Sequence, residues 1–261
     1  MTFDHLVGFR MRLFLAAIAL LTRIPVRTNS PFAAEELGKS ARWFPAIGLL
    51  IGATYLAVYY GLARFFPASV VAVAIVATEC FLTGALHLDG LADVADGFGG
   101  GHSREDVLRI MRDHAIGSYG AVALILLIAL KLVALTVLAE RHLIVPYLLI
   151  STILGRWSIV FLSALVPYAR RSADEGTRLD GNVPDYVGWL DLLVATLIVL
   201  LLVLPLGRWR GLFCWTAVLG VSEIVARICR ARIGGITGDT LGAATELSEV
   251  AVLLVAIALG S

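Results

Sequence analysis

Apolar residues gather along the chain into seven long runs of 17 to 25 residues, which polar connections separate. An α-helix needs roughly 20 residues to cross a bilayer, and in lipid only helices and closed barrels pair all their backbone groups. The pattern therefore predicts an all-α, polytopic integral membrane helical bundle with about seven spans, forming one membrane-embedded domain over residues 1–261. The runs are Pro45 to Phe66, Ser69 to Leu88, Gly117 to Ala139, Leu143 to Pro167, Val187 to Leu206, Leu212 to Ile228, and Leu241 to Gly260.

A shorter apolar run, Leu13 to Leu21, follows Arg10 and Arg12 near the N-terminus. This order is similar to that of a signal peptide, but Thr-Arg-Ile-Pro at 22–25 stands where small cleavage-site residues are expected. Because the run is short, it predicts an additional N-terminal helix that is either interfacial or a short membrane helix. Whether residues 13–25 cross the membrane stays open.

Short and long connections alternate between the seven runs. Three connections are turns of two to five residues, and the others are longer and polar, so each kind lies on its own side if the runs alternate in direction. The long connections carry thirteen Lys and Arg residues and the short ones four, and basic residues favour the cytoplasmic side. The sequence predicts a multi-pass protein of the bacterial cell (inner) membrane with cytoplasmic long connections. These are Thr22 to Phe44, Asp89 to Ile116, Tyr168 to Tyr186, and Arg227 to Thr240.

Composition narrows the classes of function. Hydrophobic residues make up 59% of the chain and charged residues 16%, which leaves too little polar surface for a soluble protein of this length. A net charge of +1 argues against a nucleic-acid partner. The three cysteines lack the spacing of a disulfide framework or a zinc site. We expect small molecules and the lipid bilayer as partners, and a homo-oligomer stays open.

The most informative polar segment is His87 to Gly101, HLDGLADVADGFGGG. On a helix, Asp89, Asp93 and Asp96 are spaced i, i+4 and i+7, which places their carboxylates on one face. No basic residue intervenes, and hard oxygen ligands of this kind favour Mg²⁺ bound together with a diphosphate. The glycines, Gly97 among them, allow a bulky ligand to approach the backbone. The alternative is a solvated helix end.

A second acidic segment, Gly234 to Ala243, opens the last apolar run and is followed by Glu246. Asp239 and Glu246 are seven residues apart and share a helix face, so both are candidate metal ligands. Gly238 and the glycines before it are typical of an anion-binding nest at a helix start. The alternative is that Asp239 or Thr237 simply caps the helix.

Ionisable residues also occur inside the apolar runs, where they are costly enough to indicate paired or functional placement. Lys131 and Arg156 are candidates for binding substrate phosphate, and equally for buried ion pairs with Glu79 or Glu223. The charged segment 104–114 is interpreted as a solvated helix followed by a tight turn.

Six blocks of sequence carry a resemblance that runs through nearly the whole chain. They are Leu21 to Val26 (LTRIPV), Trp43 to Gly48 (WFPAIG), Leu86 to Gly100, Ile116 to Gly120 (IGSYG), Pro167 to Arg170 (PYAR), and Gly235 to Ala243. In this order they resemble the cobalamin synthase family, the adenosylcobinamide-GDP ribazoletransferases. The two acidic blocks are the most specific of the six.

The resemblance implies an Mg²⁺-dependent transferase of cobalamin (vitamin B12) biosynthesis. In this family a ribose hydroxyl of α-ribazole, or of its 5'-phosphate, attacks the cobinamide-linked phosphate of adenosylcobinamide-GDP. The products are GMP and adenosylcobalamin or its 5'-phosphate. On this basis Asp89, Asp93 and Asp96 are expected to bind metal or diphosphate, and Asp239 to complete the site or act as the base. The further expected site residues are Glu246 for the metal, and Lys131, Arg156, Gly97 and Gly238 for the substrate.

Two other classes share part of this pattern. CDP-alcohol phosphotransferases and membrane prenyltransferases also use spaced aspartates with Mg²⁺, but Asp93 stands where the CDP-alcohol motif has an arginine. A small-molecule transporter would give Lys131 and Arg156 a coupling role, but it needs access from both faces, and the motifs here lie on one predicted face.

Overall fold

The computed structural model describes residues 3–28, 30–169 and 183–260 of the chain. Over these residues the regular structure is helical, with ten α-helices and no β-strand. The α-helices are α1 (Phe3–Leu21), α2 (Ala34–Ser40), α3 (Phe44–Leu62), α4 (Ala68–Thr83), α5 (Leu86–Gly100), α6 (Arg104–Ile110), α7 (Ser118–Glu140), α8 (Ile144–Leu165), α9 (Trp189–Ile233) and α10 (Gly238–Leu259). Single 3₁₀ turns occur at Ala41–Trp43 and Val183–Tyr186.

Several of these helices are long and apolar enough to cross a membrane. There are five such helical segments among the described residues, or six if α4 and α5 together count as one bent span. Large apolar side chains, such as Phe81, Leu126 and Leu201, are exposed on the outside of the bundle, where lipid rather than water suits them. The prediction of a polytopic helical membrane protein is confirmed. The five segments are Ala34–Leu62, Ser118–Glu140, Ile144–Leu165, Trp189–Ile233 and Gly238–Leu259.

Helix α9 contains two antiparallel segments rather than one rod. Arg208 has non-helical backbone angles (φ 50°, ψ −137°), three residues after Pro205. Trp157 of α8 donates a hydrogen bond to Thr196 at 3.0 Å, and its ring also meets the Trp215 ring at a centroid distance of 5.3 Å. In a straight helix Thr196 and Trp215 would be about 28 Å apart. The chain therefore reverses near Arg208, at the turn that the sequence predicts between its fifth and sixth apolar runs.

The junction of α4 and α5 corrects one predicted boundary. The second apolar run was expected to continue as a helix to Leu88, but α4 ends at Thr83, and α5 turns away by 91°. Gly84 (φ 71°) and Ala85 (φ 58°) both adopt left-handed angles at the bend. A side chain at Gly84 would overlap Arg23, whose backbone N–H donates to the Leu82 carbonyl at 2.7 Å. The acidic segment thus lies across the end of the bundle on a helix of its own.

The N-terminal helix α1 falls outside the set of candidate spans among the described residues. Its buried side chains are small or aliphatic, including Leu13, Ala17 and Leu21, and they pack against the bundle. Arg12 of the same helix donates to Glu36 of α2 at 2.5 Å. Both alternatives of the sequence analysis, an interfacial helix and a short membrane helix, stay predictions.

The described parts of the long connections meet on one face of the bundle. Arg42 pairs with Asp191 at the start of α9, and Arg104 donates to the Ile233 carbonyl at the end of α9. The Ala169 N–H donates to the Ile236 carbonyl at 2.7 Å, which joins the segment after α8 to the one before α10. Most of the connection between α8 and α9, residues 170–182, lies outside the described residues. The long connections therefore lie at one end of the helices, and the short turns lie at the other.

This arrangement predicts the outcome of topology mapping. Reporter fusions after Gly101 and Gly235 should both indicate the cytoplasm, and fusions after Arg141 and Trp209 should indicate the opposite side, because these pairs lie at opposite helix ends. Paired reporters, one active only in the cytoplasm and one only outside it, provide the measurement. An outside signal at Gly101 would separate the aspartates from cytoplasmic nucleotides and contradict the predicted orientation.

Candidate active site

Two glycines bring α5 and α10 into backbone contact. A Cβ atom placed on Gly90 would lie 2.9 Å from the Cα of Asp239, and one on Gly242 would lie 3.2 Å from the Cα of His87. At Gly90 this distance is too short for a side chain, and at Gly242 a side chain would fit only if His87 moved by a few tenths of an ångström, so glycine at both positions lets the helices cross this closely. The crossing places Asp239, at the start of α10, beside the acidic face of α5.

The acidic residues of the two helices line one cleft of about 570 Å³. Asp89 and Asp93 come from α5, where Asp89 is exposed and Asp93 is half-buried. Asp239 comes from the first turn of α10 and is also half-buried. Leu124 and Ile128 of α7 add an apolar part to the lining of the cleft. Three of the predicted site residues are therefore brought together from parts of the sequence 150 residues apart.

The start of α10 resolves the question of capping. The Thr237 hydroxyl accepts a hydrogen bond from the Thr240 N–H at 3.3 Å, and the Thr240 hydroxyl accepts one from the Thr237 N–H at 2.8 Å. This reciprocal pair caps the helix, so of the two capping residues considered, Thr237 is the one used. The Asp239 carboxylate, 3.4 Å from the Thr237 hydroxyl, lines the cleft beside the partial positive charge of the helix start.

Asp96 has a different environment from the other two aspartates of α5. Its carboxylate is buried and accepts hydrogen bonds from the N–H groups of Gly117 (2.7 Å) and Gly120 (2.8 Å) at the start of α7. Such N–H groups have no partner within their own helix, so Asp96 satisfies two of them and anchors α7 to α5. Asp96 is not part of the cleft lining. Its role as a metal ligand stays a prediction.

Lys131, Arg156 and Glu246 lie away from the cleft, in a buried cluster within the bundle. The Lys131 ammonium is 2.7 Å from Glu79, 2.8 Å from Glu246 and 2.9 Å from Glu249. Arg156 pairs with Glu249. The structure thus contains the buried ion pair with Glu79 that the sequence offered as the alternative to phosphate binding. Glu223, the other partner considered, pairs on the surface with Arg227.

The two glycines expected to contact substrate differ in accessibility. Gly97 is buried against α6 and against Met111, which directly follows α6. A Cβ atom built on Gly97 would lie 3.1 Å from the Val107 carbonyl oxygen and 3.3 Å from the Met111 sulfur. Its backbone is therefore closed to a ligand. Gly238 is exposed beside Asp239, with no atom within 4 Å of a Cβ position. Of the two, only Gly238 leaves the backbone open to a ligand.

The sequence interpretation did not recognise some of the residues that line the cleft. Arg112, Asp113 and His114, which were interpreted as a solvated segment, also line the cleft. The Asp113 carboxylate accepts a hydrogen bond from the Ala115 N–H at 3.1 Å, which shapes this turn. The sequence signal that could have placed them in the cleft is their position just before the Gly117 block, because that block begins α7 next to Asp96.

Asp96 and Asp89 should respond differently to the same substitution. Asp96→Asn places an NH₂ group against a backbone N–H and should lower the free energy of unfolding by about 1 to 3 kcal/mol. Asp89→Asn changes an exposed side chain and should leave stability near wild type. Thermal unfolding in detergent measures the difference, and equal midpoints would show that Asp96 does not anchor α7.

Comparison with known proteins places these features in a family. The family model described as cobalamin-5-phosphate synthase matches residues 13–257. The chain is 34% identical to an adenosylcobinamide-GDP ribazoletransferase of Clostridium botulinum, over 93% of this chain and 96% of the relative. It is 36% identical to the protein of that name from a Shewanella species, over 95% of both chains. It is 34% identical to the one from Vibrio cholerae, over 97% of this chain and 96% of the relative.

No solved structure matches the chain. The family model covers both α5 and α10, which contribute the cleft aspartates, and the curated relatives match over nearly their full length. The chain therefore belongs to the cobalamin-5-phosphate synthase family.

Proposed function

We propose that the protein is an adenosylcobinamide-GDP ribazoletransferase that joins adenosylcobinamide-GDP to α-ribazole or its 5'-phosphate. The observation that carries the proposal is the cleft in which Asp89, Asp93 and Asp239 converge from two helices. The relatives that share this name match nearly the whole chain, which favours this activity over the CDP-alcohol phosphotransferase and transporter alternatives. The function is thus a phosphotransferase step of cobalamin biosynthesis within a membrane.

The reaction is a displacement at phosphorus. A ribose hydroxyl oxygen forms a bond to the cobinamide-linked phosphorus, the bridging P–O bond to GMP breaks, and the hydroxyl proton passes to an acceptor. Catalysis of such a step depends on holding the hydroxyl in line with the leaving oxygen and on neutralising the charge that develops there. When bound, Mg²⁺ supplies that neutralisation at the diphosphate.

The donor chemistry of the cleft fits Mg²⁺. Asp89, Asp93 and Asp239 offer hard carboxylate oxygens on one wall. They do not form a group as tight as Glu79, Glu246 and Glu249, whose ligand oxygens lie within 4.8 Å of one another. Mg²⁺ usually keeps several waters and is held by one or two carboxylates together with substrate phosphates, so wider spacing suits a shared ion. We assign these three aspartates as the residues that would hold it, without Glu246, which is outside the cleft lining and pairs with Lys131.

Other groups in and beside the cleft complement the aspartates. Arg112 adds a permanent positive charge to the lining of the cleft. Gly238 and the first turn of α10 offer exposed backbone beside Asp239. The face that bears the cleft also holds most of the basic connections, which supports a cytoplasmic active site with access to nucleotides.

Turnover should depend on the cleft aspartates and on magnesium. Purified protein given adenosylcobinamide-GDP and α-ribazole 5'-phosphate should release GMP only with Mg²⁺ present, and Asp89→Asn or Asp93→Asn should lower the rate by a hundredfold or more, since a lost ligand costs several kcal/mol. Glu105→Gln, an exposed change on α6 outside the cleft, is the matched control. A folded, magnesium-loaded protein that releases no GMP would overturn the proposed function.

Asp239 should act as a metal ligand rather than as the base. A carboxylate beside a helix start and a dication is a weak proton acceptor, which favours the ligand role. In Asp239→Asn the rate should fall strongly and recover in part as magnesium is raised. Because Thr237 and Thr240 cap α10, the thermal midpoint should stay near wild type. A rate loss that saturating magnesium does not relieve, with substrate still bound, would make Asp239 the base.

A further inference from the structure

Five charged side chains meet in the interior of the bundle, within the candidate membrane spans. They come from four helices, and each is 3% exposed or less. Three are carboxylates and two are cations, so the cluster carries one more negative than positive charge when every member is ionised. The members are Glu79 of α4, Lys131 of α7, Arg156 of α8, and Glu246 and Glu249 of α10.

The hydrogen bonds of Lys131 show that all three carboxylates of the cluster gather around its single ammonium group. Both oxygens of Glu79 lie 2.7 and 2.8 Å from the ammonium, and one oxygen each of Glu246 and Glu249 lies at 2.8 and 2.9 Å. An ammonium has three N–H donors, so four oxygens compete for three protons. The carboxylate oxygens lie within 4.8 Å of one another, where their mutual repulsion is strong.

Glu249 is the member with the best-compensated charge. Its two oxygens contact different cations, one on Lys131 and the other on Arg156. Glu79 and Glu246 share Lys131 alone among the described cations. An uncompensated charge on a side chain buried this deeply is costly. The pair Glu79 and Glu246 is therefore where one more positive charge is required.

We propose that the cluster binds one proton, shared between Glu79 and Glu246, so that the buried group is electrically neutral. A carboxyl proton removes the excess charge and adds the hydrogen-bond donor that the four oxygens lack. The Lys131 ammonium already lies between the carboxylates, in the space that a bound metal cation would need.

The remaining polar groups around the cluster do not supply this charge. Tyr55 of α3, His87 of α5 and Ser248 of α10 are buried, and their side-chain Oη, Nε2 and Oγ atoms have no hydrogen-bond partner in the described part of the chain. A charged imidazole at His87 would leave its Nε2–H without an acceptor in a buried site, which disfavours the imidazolium. Two guanidinium nitrogens of Arg156 are likewise unpartnered there, and they donate without accepting.

Infrared spectroscopy tests this proposal independently of the transferase activity. Wild-type protein at neutral pH should show the carbonyl stretch of a protonated carboxylic acid, shifted in deuterated buffer and unchanged when sodium is replaced by potassium. Glu79→Gln and Glu246→Gln should each abolish the signal, because two carboxylates then balance two cations. Glu223→Gln, an exposed change, should keep it. A wild-type spectrum without the signal, or one that survives in either cluster variant, would overturn the proposal.

Thermal unfolding in detergent provides a second measurement, which does not depend on the infrared signal. Glu246→Gln replaces a carboxyl that shares the proton and should keep a midpoint near wild type. Glu249→Gln, the same change three residues along α10, removes the counter-charge of Arg156 and should unfold at a clearly lower temperature. Equal midpoints for the two variants, or a lower midpoint for Glu246→Gln, would contradict a proton on the Glu79–Glu246 pair.

Discussion

The contact between the backbones of α5 and α10 is the constraint on which the site depends. At Gly90 and Gly242 the two helices touch without intervening side chains, and this contact sets how far Asp239 lies from Asp89 and Asp93. A side chain at Gly90 would overlap the Asp239 backbone and push the two helices apart. The ion cluster further along α10 joins the same helix to α4, α7 and α8, which fixes its position along the bundle.

Much of the fold follows from hydropathy because lipid leaves an apolar run of about 20 residues few other conformations. All seven predicted runs are found in helices, and α9 reverses at the turn that the sequence indicates. The bend between α4 and α5 was not predictable in this way. It depends on left-handed angles at Gly84 and Ala85 and on the Arg23 segment, which arrives from 61 residues earlier in the chain.

Helix periodicity placed Asp89, Asp93 and Asp96 on one face of a helix but did not identify their neighbours. Asp96 shares a face with Asp89, yet the N–H groups that it accepts from belong to a helix 21 residues later. Similarly, nothing local distinguished an ion pair from a phosphate site at Lys131, because its partner Glu79 is 52 residues away. The basic residues counted for topology also have a local role: Arg104, Arg230 and Arg232 bond carbonyl groups at helix ends.

The acidic and the apolar residues that line the cleft have different surroundings. Leu124 and Ile128 lie six and ten residues into α7, about 9 and 15 Å along the helix from its start. The aspartates lie at the bundle end, where α5 crosses it. A molecule in this cleft therefore meets charge at one end and hydrocarbon at the other, as it would in the head-group layer of a bilayer. A flat aromatic base and an ionic diphosphate can each find a matching environment there without either leaving the membrane surface.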